Sequence, residues 1–246
     1  NLVGEVLPSL LETKEVKNDQ IFEFSVNYKK QNMISGILLP EFEIASQTTV
    51  YGSYNSQNRS FGLFFRSPFL HYQSYQASDI NADLGKVSEV LKGKVYAGEA
   101  SIQNFKIENL DIDAEAFNDI GTLGVGWYNR DQSTRANLNA GVFLEDNKHI
   151  IIELRPGYIG NENFVWEIAE TAIITVDSTR IQIDSLLFAN NNQRLKINGV
   201  ISHDKRDQVN VDLENFNFAS LDSLGFPLKK DIRGILNLRG SISEFY

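Results

Sequence analysis

In Arg194-Leu195-Lys196-Ile197-Asn198-Gly199-Val200-Ile201-Ser202, apolar side chains alternate with polar or small ones. Leu195, Ile197 and Ile201 fall on one parity, and Lys196 and Asn198 fall on the other. Successive side chains of a β-strand point to opposite faces, so the segment has one apolar face and one mostly polar face. The alternation therefore predicts a half-buried β-strand.

The same two-residue period recurs along the chain, over 22–28, 60–66, 181–184, 209–213 and 232–239. Short stretches rich in Asn, Asp and Ser separate such segments and favour tight turns, as at 54–58 and 190–192. Strands joined by tight turns indicate consecutive antiparallel hairpins, and hence an all-β fold. A sandwich, a closed barrel and a long curved sheet would all bury one apolar face, and the alternation does not separate them.

A few segments break this pattern. Apolar residues at helical spacing predict short helices over 8–16, 85–91 and 218–224. The chain shows no linker, charge block or exact repeat, so we expect one extended β-rich unit over 1–246. Because it begins at Asn1 with a strand-like stretch, we expect a segment of a longer protein, with any membrane anchor outside it.

The composition excludes several classes of function. The 246 residues carry 23 Lys and Arg against 32 Asp and Glu, a net charge of −9. Such an acidic surface repels phosphate backbones, so we expect no nucleic-acid partner. With 0 Cys, the chain has no disulfide, thiolate metal site or Cys nucleophile.

No motif in the chain is typical of catalysis or of a cofactor site. His71, His149 and His203 are scattered, and the carboxylates of 111–115 lack the glycine that a calcium loop requires. The glycine-rich stretch 121–126 does not match a dinucleotide-binding motif and is typical of a strand. We therefore expect a protein that is not an enzyme and has no cofactor and no metal; a β-rich hydrolase, which only the abundance of Asp and Glu favours, is the alternative.

The C-terminal third contains four segments in a fixed order: 194–202, 207–213, 215–221 and 233–241. They read as a strand ending in "G-x-I-S", a strand of the "L-x-L-x-L" type, an "N-x-x-L-x-x-L" step and a "G-x-L-x-L-x-G" strand. This order resembles that of the TamB/AsmA-like family of large periplasmic proteins. Upstream segments 156–159, 166–168 and 184–188 resemble the family's preceding unit, so the resemblance is strongest over 153–243.

The resemblance implies properties that the alternation does not. It implies an elongated, curved antiparallel sheet around an apolar groove, in a periplasmic protein anchored in the inner membrane. It also implies a role in phospholipid transport between membranes or in assembling outer-membrane β-barrel proteins, with an outer-membrane barrel partner and no catalytic residues. The expected cargo is phospholipid acyl chains or nascent outer-membrane protein strands.

Alternation parity selects the residues expected to line such a groove. They are Phe22, Phe24, Val26, Leu63, Phe65, Ile181, Ile183, Leu195, Ile197, Val209, Val211, Leu213, Leu236 and Leu238. Ordinary core packing is an equal alternative for each of them. The tyrosines at 51, 54, 72 and 75, together with Trp127, instead favour a second hypothesis, a cell-surface carbohydrate-binding or adhesive β-sandwich.

Overall fold

The computed structural model describes residues 6–9, 19–29, 42–102, 105–131, 133–146, 149–162, 164–218 and 234–243. These residues confirm the all-β fold class, since the described elements are strands of one long antiparallel sheet. The strands are β1 (Ile21–Tyr28), β2 (Phe42–Ile44), β3 (Thr48–Asn55), β4 (Ser60–Tyr72), β5 (Tyr75–Val87), β6 (Val90–Ile102), β7 (Phe105–Phe117), β8 (Ile120–Tyr128), β9 (Arg135–Leu144), β10 (Ile150–Gly160), β11 (Val165–Ile168), β12 (Ala172–Val176), β13 (Arg180–Asn190), β14 (Gln193–Ser202), β15 (Gln208–Asn217) and β16 (Ile235–Ser243).

Neighbours in sequence are mostly neighbours in the sheet. The order is β1-β3-β4-β5-β6-β7-β8-β9-β10-β11-β13-β14-β15-β16, while β2 pairs with β4 and β12 pairs with β10 and β13. Tight turns connect many of these strands. Asn118 and Asp119 between β7 and β8 both have positive φ, 47° and 64°, as a two-residue hairpin turn requires.

The chain divides into two compact units. The N-terminal unit comprises Asn1–Asp119 and Val125–Asn129, and the C-terminal unit comprises Ile120–Gly124 and Arg130–Tyr246. Among the described residues, no helix has the length and apolar character needed to cross a membrane.

The helix predicted over 85–91 is wrong. Residues on both sides of Ser88 and Glu89 form a hairpin, in which Val87 pairs with Val90 and Lys86 with Leu91. Ser88 has a φ of 58°, which no α-helix accommodates. Of the other two helix predictions, only Pro8, Ser9 and Phe218 are described, all in turns, and the remaining positions lie outside the described residues.

Candidate functional site

An apolar face extends across the N-terminal unit. Paired positions on neighbouring strands lie on the same face of a sheet. One row of such positions crosses six strands and is apolar throughout: Val26, Val50, Phe65, Ala82, Val95 and Ile112. The next row is Phe24, Gly52, Leu63, Leu84, Gly93 and Ala114, again without a polar side chain. We call the face that bears these two rows the N-terminal apolar face.

The aromatic side chains on this face need small neighbours. A Cβ atom at Gly52 would collide with the ring of Phe24, which lies over the glycine. Phe22 contacts Tyr54 on the neighbouring strand, with ring centroids 5.3 Å apart. Glycine at position 52 therefore lets a phenylalanine lie flat along the face.

Much of the N-terminal apolar face is accessible to solvent. Phe22, Phe24, Val26, Leu63, Leu84 and Val95 are all exposed. Contiguous exposed apolar side chains mark interaction surfaces on soluble proteins, because isolated ones are common and contiguous ones are not.

In several strands of this unit, the alternation of side chains between the two faces shifts by one residue, and these shifts lie next to one another across the sheet. Ala77 and Ile80 line the same pocket although they are three residues apart, and Asp79 between them has a φ of 52°. On β7, Asn109 has a φ of 49°, and a Cβ at Gly98 on β6 would lie 3.0 Å from Asp79 Cβ. The left-handed residues shift the alternation by one position, so the apolar face continues into the strand ends.

Polar side chains form hydrogen bonds where the alternation of these strands shifts. The buried hydroxyls of Thr48 and Ser67 lie 2.7 Å apart, and the Ser67 hydroxyl also donates to the carbonyl oxygen of Phe69. Asn129 is buried, and its Oδ1 accepts a hydrogen bond of 2.7 Å from the backbone N–H of Glu108. These bonds satisfy groups that the irregular strands would otherwise leave unpaired.

The opposite face of the N-terminal unit is charged. Lys92 Nζ lies 2.7 Å from a carboxylate oxygen of Glu115, and Lys106 Nζ lies 2.8 Å from one of Glu99. The hydrogen bond to Glu99 raises the pKa of Lys106. Asp111, Asp113 and Glu115 are exposed on this face, as expected for a solvated strand.

The C-terminal unit also has an apolar face. Its paired residues include Ile181 with Ile201, Ile197 with Val211, and Leu213 with Leu238. Register shifts between Ile183 and Leu186, and between Leu213 and Phe216, keep the apolar residues of β13 and β15 on this face. We call it the C-terminal apolar face.

Aromatic rings cover one end of the C-terminal apolar face. Trp166 on β11 and Phe216 on β15 are buried, and their ring centroids are 5.8 Å apart in a stacked arrangement. β13 and β14 lie between these strands in the sheet, and three strand spacings amount to about 14 Å. The two rings therefore reach across the intervening strands and close this end of the face.

The register brings the predicted groove residues together within each unit. Phe22, Phe24, Val26, Leu63 and Phe65 lie on the N-terminal apolar face, and the remaining nine, at 181, 183, 195, 197, 209, 211, 213, 236 and 238, lie on the C-terminal apolar face. That they line a groove stays a prediction. The sequence reasoning missed other members of the two faces: Val50, Ala82, Leu84, Val95, Ile112, Trp166 and Phe216. The sequence showed the alternation around these residues, but it did not show which residues of neighbouring strands would pair with them.

The aromatic residues that favour the carbohydrate hypothesis do not all lie on one face of the sheet. Tyr54 lies on the N-terminal apolar face, opposite Phe22 and Phe61, whereas Tyr51 pairs with Ser25 and Phe64 on the other face. The four tyrosines therefore do not form one stacking platform. Glycan binding that is lost on substitution of Tyr54 or Trp127 would support this hypothesis, which stays a prediction.

In the part of the chain that the structure describes, no group of three or more His, Asp or Glu side chains is placed to hold a metal ion. None of the protein-family models, curated proteins or solved structures compared with this chain matches it.

Proposed function

We propose that this chain is a non-enzymatic, TamB-like periplasmic segment whose apolar sheet face binds the acyl chains of phospholipids. The exposed N-terminal apolar face carries this proposal, because two successive rows of six positions are apolar and several of their side chains are in contact with water. Such a face is unfavourable in water and favourable against hydrocarbon.

Acyl chains suit this surface energetically. Each methylene group removed from water contributes about 0.8 kcal/mol, so a chain lying along several strands gains affinity without any specific polar contact. The charged opposite face, with pairs such as Lys92 and Glu115, keeps the sheet in solution. Under this proposal the protein moves lipid between the inner and the outer membrane and is anchored by a segment outside this chain.

The test is native mass spectrometry with organic extraction of the purified chain, comparing two variants. Leu63 and Phe64 are adjacent and similarly exposed, at 38 % and 39 %, but lie on opposite faces. We expect Leu63→Asp to lose co-purified phospholipid and Phe64→Asp to retain it. Equal lipid occupancy in the two folded variants would refute the assignment of the face.

A second function, pairing with a nascent outer-membrane protein strand, is favoured by the two ends of the sheet. Among the described residues, β1 pairs only with β3 and β16 only with β15, and β16 is largely exposed. An edge strand presents backbone groups that can pair with an incoming strand.

Hydrogen exchange tests this second function. Addition of an unfolded barrel protein should slow amide exchange in β16 and leave β6, which is paired on both sides, unchanged. Unchanged exchange in both β1 and β16 would rule out strand addition at these edges.

A further inference from the structure

A hollow of about 370 Å³ lies on the N-terminal apolar face near the ends of β4 to β7. Its centre is a row of directly paired residues on these four strands: Leu70, Ala77, Ala100 and Ile107. The two alanines lie on the central strands, and the larger leucine and isoleucine lie on the outer ones. The row is therefore low in the middle and high at both sides, which produces a trough.

Larger side chains close the trough along the strands. Tyr75 and Phe105 line the hollow towards the strand ends, and Ile80 lines it on the other side of the parity shift. Ile80 reaches the hollow because the left-handed Asp79 shifts the alternation of β5 by one position. Without that shift, Ile80 would face away from Ala77, and the trough would be open towards the middle of the strands.

We propose that this hollow binds the end of one linear hydrocarbon chain. The proposal rests on the lipid-binding function above and gives it a specific site. A cavity of about 150 Å³ lined by aliphatic and aromatic groups holds one benzene molecule, so this hollow has room for on the order of a dozen carbon atoms.

The lining excludes a charged occupant. The lining residues with polar side-chain groups are Tyr75, Gln76 and Ser101, and none of them is a Lys, Arg or His that could neutralise an anion. A phosphate or carboxylate would lose its hydration there without gaining a cation. The charged end of the ligand therefore stays outside, and only the hydrocarbon end enters.

The backbone around the hollow excludes a protein strand as the occupant. β5 pairs with β4 and β6, and β6 pairs with β5 and β7, so the strands beneath the alanines are paired on both sides. An added β-strand requires an open edge, whereas a hydrocarbon chain requires no hydrogen bonds. At this site the physics favours an acyl chain over a nascent barrel strand.

Photo-crosslinking of the full chain tests the proposal. The probes are palmitic acid with a diazirine at its terminal carbon, and a phosphatidylglycerol that carries the same labelled chain. We expect mass spectrometry to locate the label in β5 or β7, at residues that line the hollow. Labelling there by either probe supports the proposal, and the probe that labels identifies free fatty acid or phospholipid as the source.

A filled hollow should abolish this labelling. The double variant Ala77→Leu and Ala100→Leu places large side chains on the low part of the trough, and we expect labelling at the hollow to fall at least tenfold. Ala189→Leu is the matched control, because Ala189 pairs with Glu167 and Arg194, away from either apolar face. Circular dichroism and thermal melting establish that the variants fold.

The outcomes separate this proposal from the broader function. Labels found only elsewhere on the two apolar faces would overturn the hollow and leave the lipid-binding function intact. Absence of labelling from both units would overturn both. If the double variant does not fold, the label map of the unmodified chain decides, because labels outside β4 to β7 contradict the hollow by themselves.

Discussion

The two units share the alternation of apolar and polar residues but differ in how far their apolar faces are buried. On the N-terminal apolar face, Phe22, Val26 and Leu84 are exposed, whereas on the C-terminal apolar face Trp166 and Val209 are buried. The contrast is not complete, since Ile80 and Ala97 are buried in the first unit and Leu238 is exposed in the second. Alternation therefore predicts that a face is apolar, but it does not predict how much of that face is buried.

Aromatic contacts account for part of the difference. Phe22 and Tyr54 in the N-terminal unit contact each other across neighbouring strands, so their rings cover only the strands that bear them. Trp166 and Phe216 instead meet across two intervening strands, and Phe216 also packs edge-on against Phe218. Because this ring pair spans two intervening strands, it shields side chains of several strands from water.

Strand geometry also differs between the two units. β4 to β7 are each 13 residues long and pair along almost their whole length. In the C-terminal unit the shorter β11 and β12 share the sheet position between β10 and β13, and the β10 register with β9 shifts between Arg155 and Tyr158. An interrupted strand can change direction, which lets side chains of distant strands meet.

The largest expected effect is at the aromatic contact. Trp166→Ala should destabilise the protein by about 3–5 kcal/mol, because it removes a large buried ring and leaves a cavity. Denaturant unfolding followed by far-ultraviolet circular dichroism measures this change. Trp166→Phe is the control for the indole N–H, which has no hydrogen-bond partner among the described residues, and it should cost much less. A cost for Trp166→Ala below 1 kcal/mol would show that this end of the face is not closed.

A matched pair of valines tests the contrast in burial directly. Val209 is 7 % exposed and Val26 is 52 % exposed, and both lie in strands on an apolar face. Val209→Ala should cost about 1.5 kcal/mol, from two methyl-sized groups at about 0.8 kcal/mol each. Val26→Ala should change the free energy of unfolding by less than about 0.5 kcal/mol. Equal losses in the same unfolding assay would remove the distinction between an open and a closed face.

The smallest expected effect concerns a surface pair of the C-terminal unit. His149 Nδ1 lies 2.9 Å from Asp146 Oδ2, and this hydrogen bond raises the pKa of His149, with Asp177 and Glu145 adding to the shift. A raised pKa means that the contribution to stability is complete below the ordinary histidine pKa and is lost as the pH rises through the folded-state pKa. In an NMR titration, Asp146→Asn should lower the pKa of His149. An unchanged titration midpoint would indicate that the pair does not form in solution.

The sequence predicted the strands well where the alternation was uninterrupted. The segments 22–28, 60–66, 181–184 and 209–213 all fall within described strands. The error at 85–91 has a simple cause. Val87 and Val90 are three residues apart, which suits one helical turn, but a two-residue hairpin turn also places them side by side. Helical spacing over so short a segment therefore does not separate the two structures.

The candidate site was only partly visible in the sequence. Parity grouped residues such as Leu63 and Ile197 on the apolar side of their own strands, because parity is a local property of one strand; that they line a groove stays a prediction. It did not place Ala77 with Ile80, because a left-handed residue such as Asp79 has no strong signature in a single sequence. It also did not pair Ala77 with Ala100 between Leu70 and Ile107, the arrangement that forms the hollow.

By itself, the sequence determined the uninterrupted alternating segments, several of the turns between strands, and the parity that separates an apolar from a polar side within such a segment. These features follow from the backbone geometry of a few consecutive residues. Only the tertiary structure decided which rows align, which face is open and where Trp166 meets Phe216. Those outcomes depend on the register between residues far apart in the chain, and a change of register by one position would move every side chain of a strand to the opposite face.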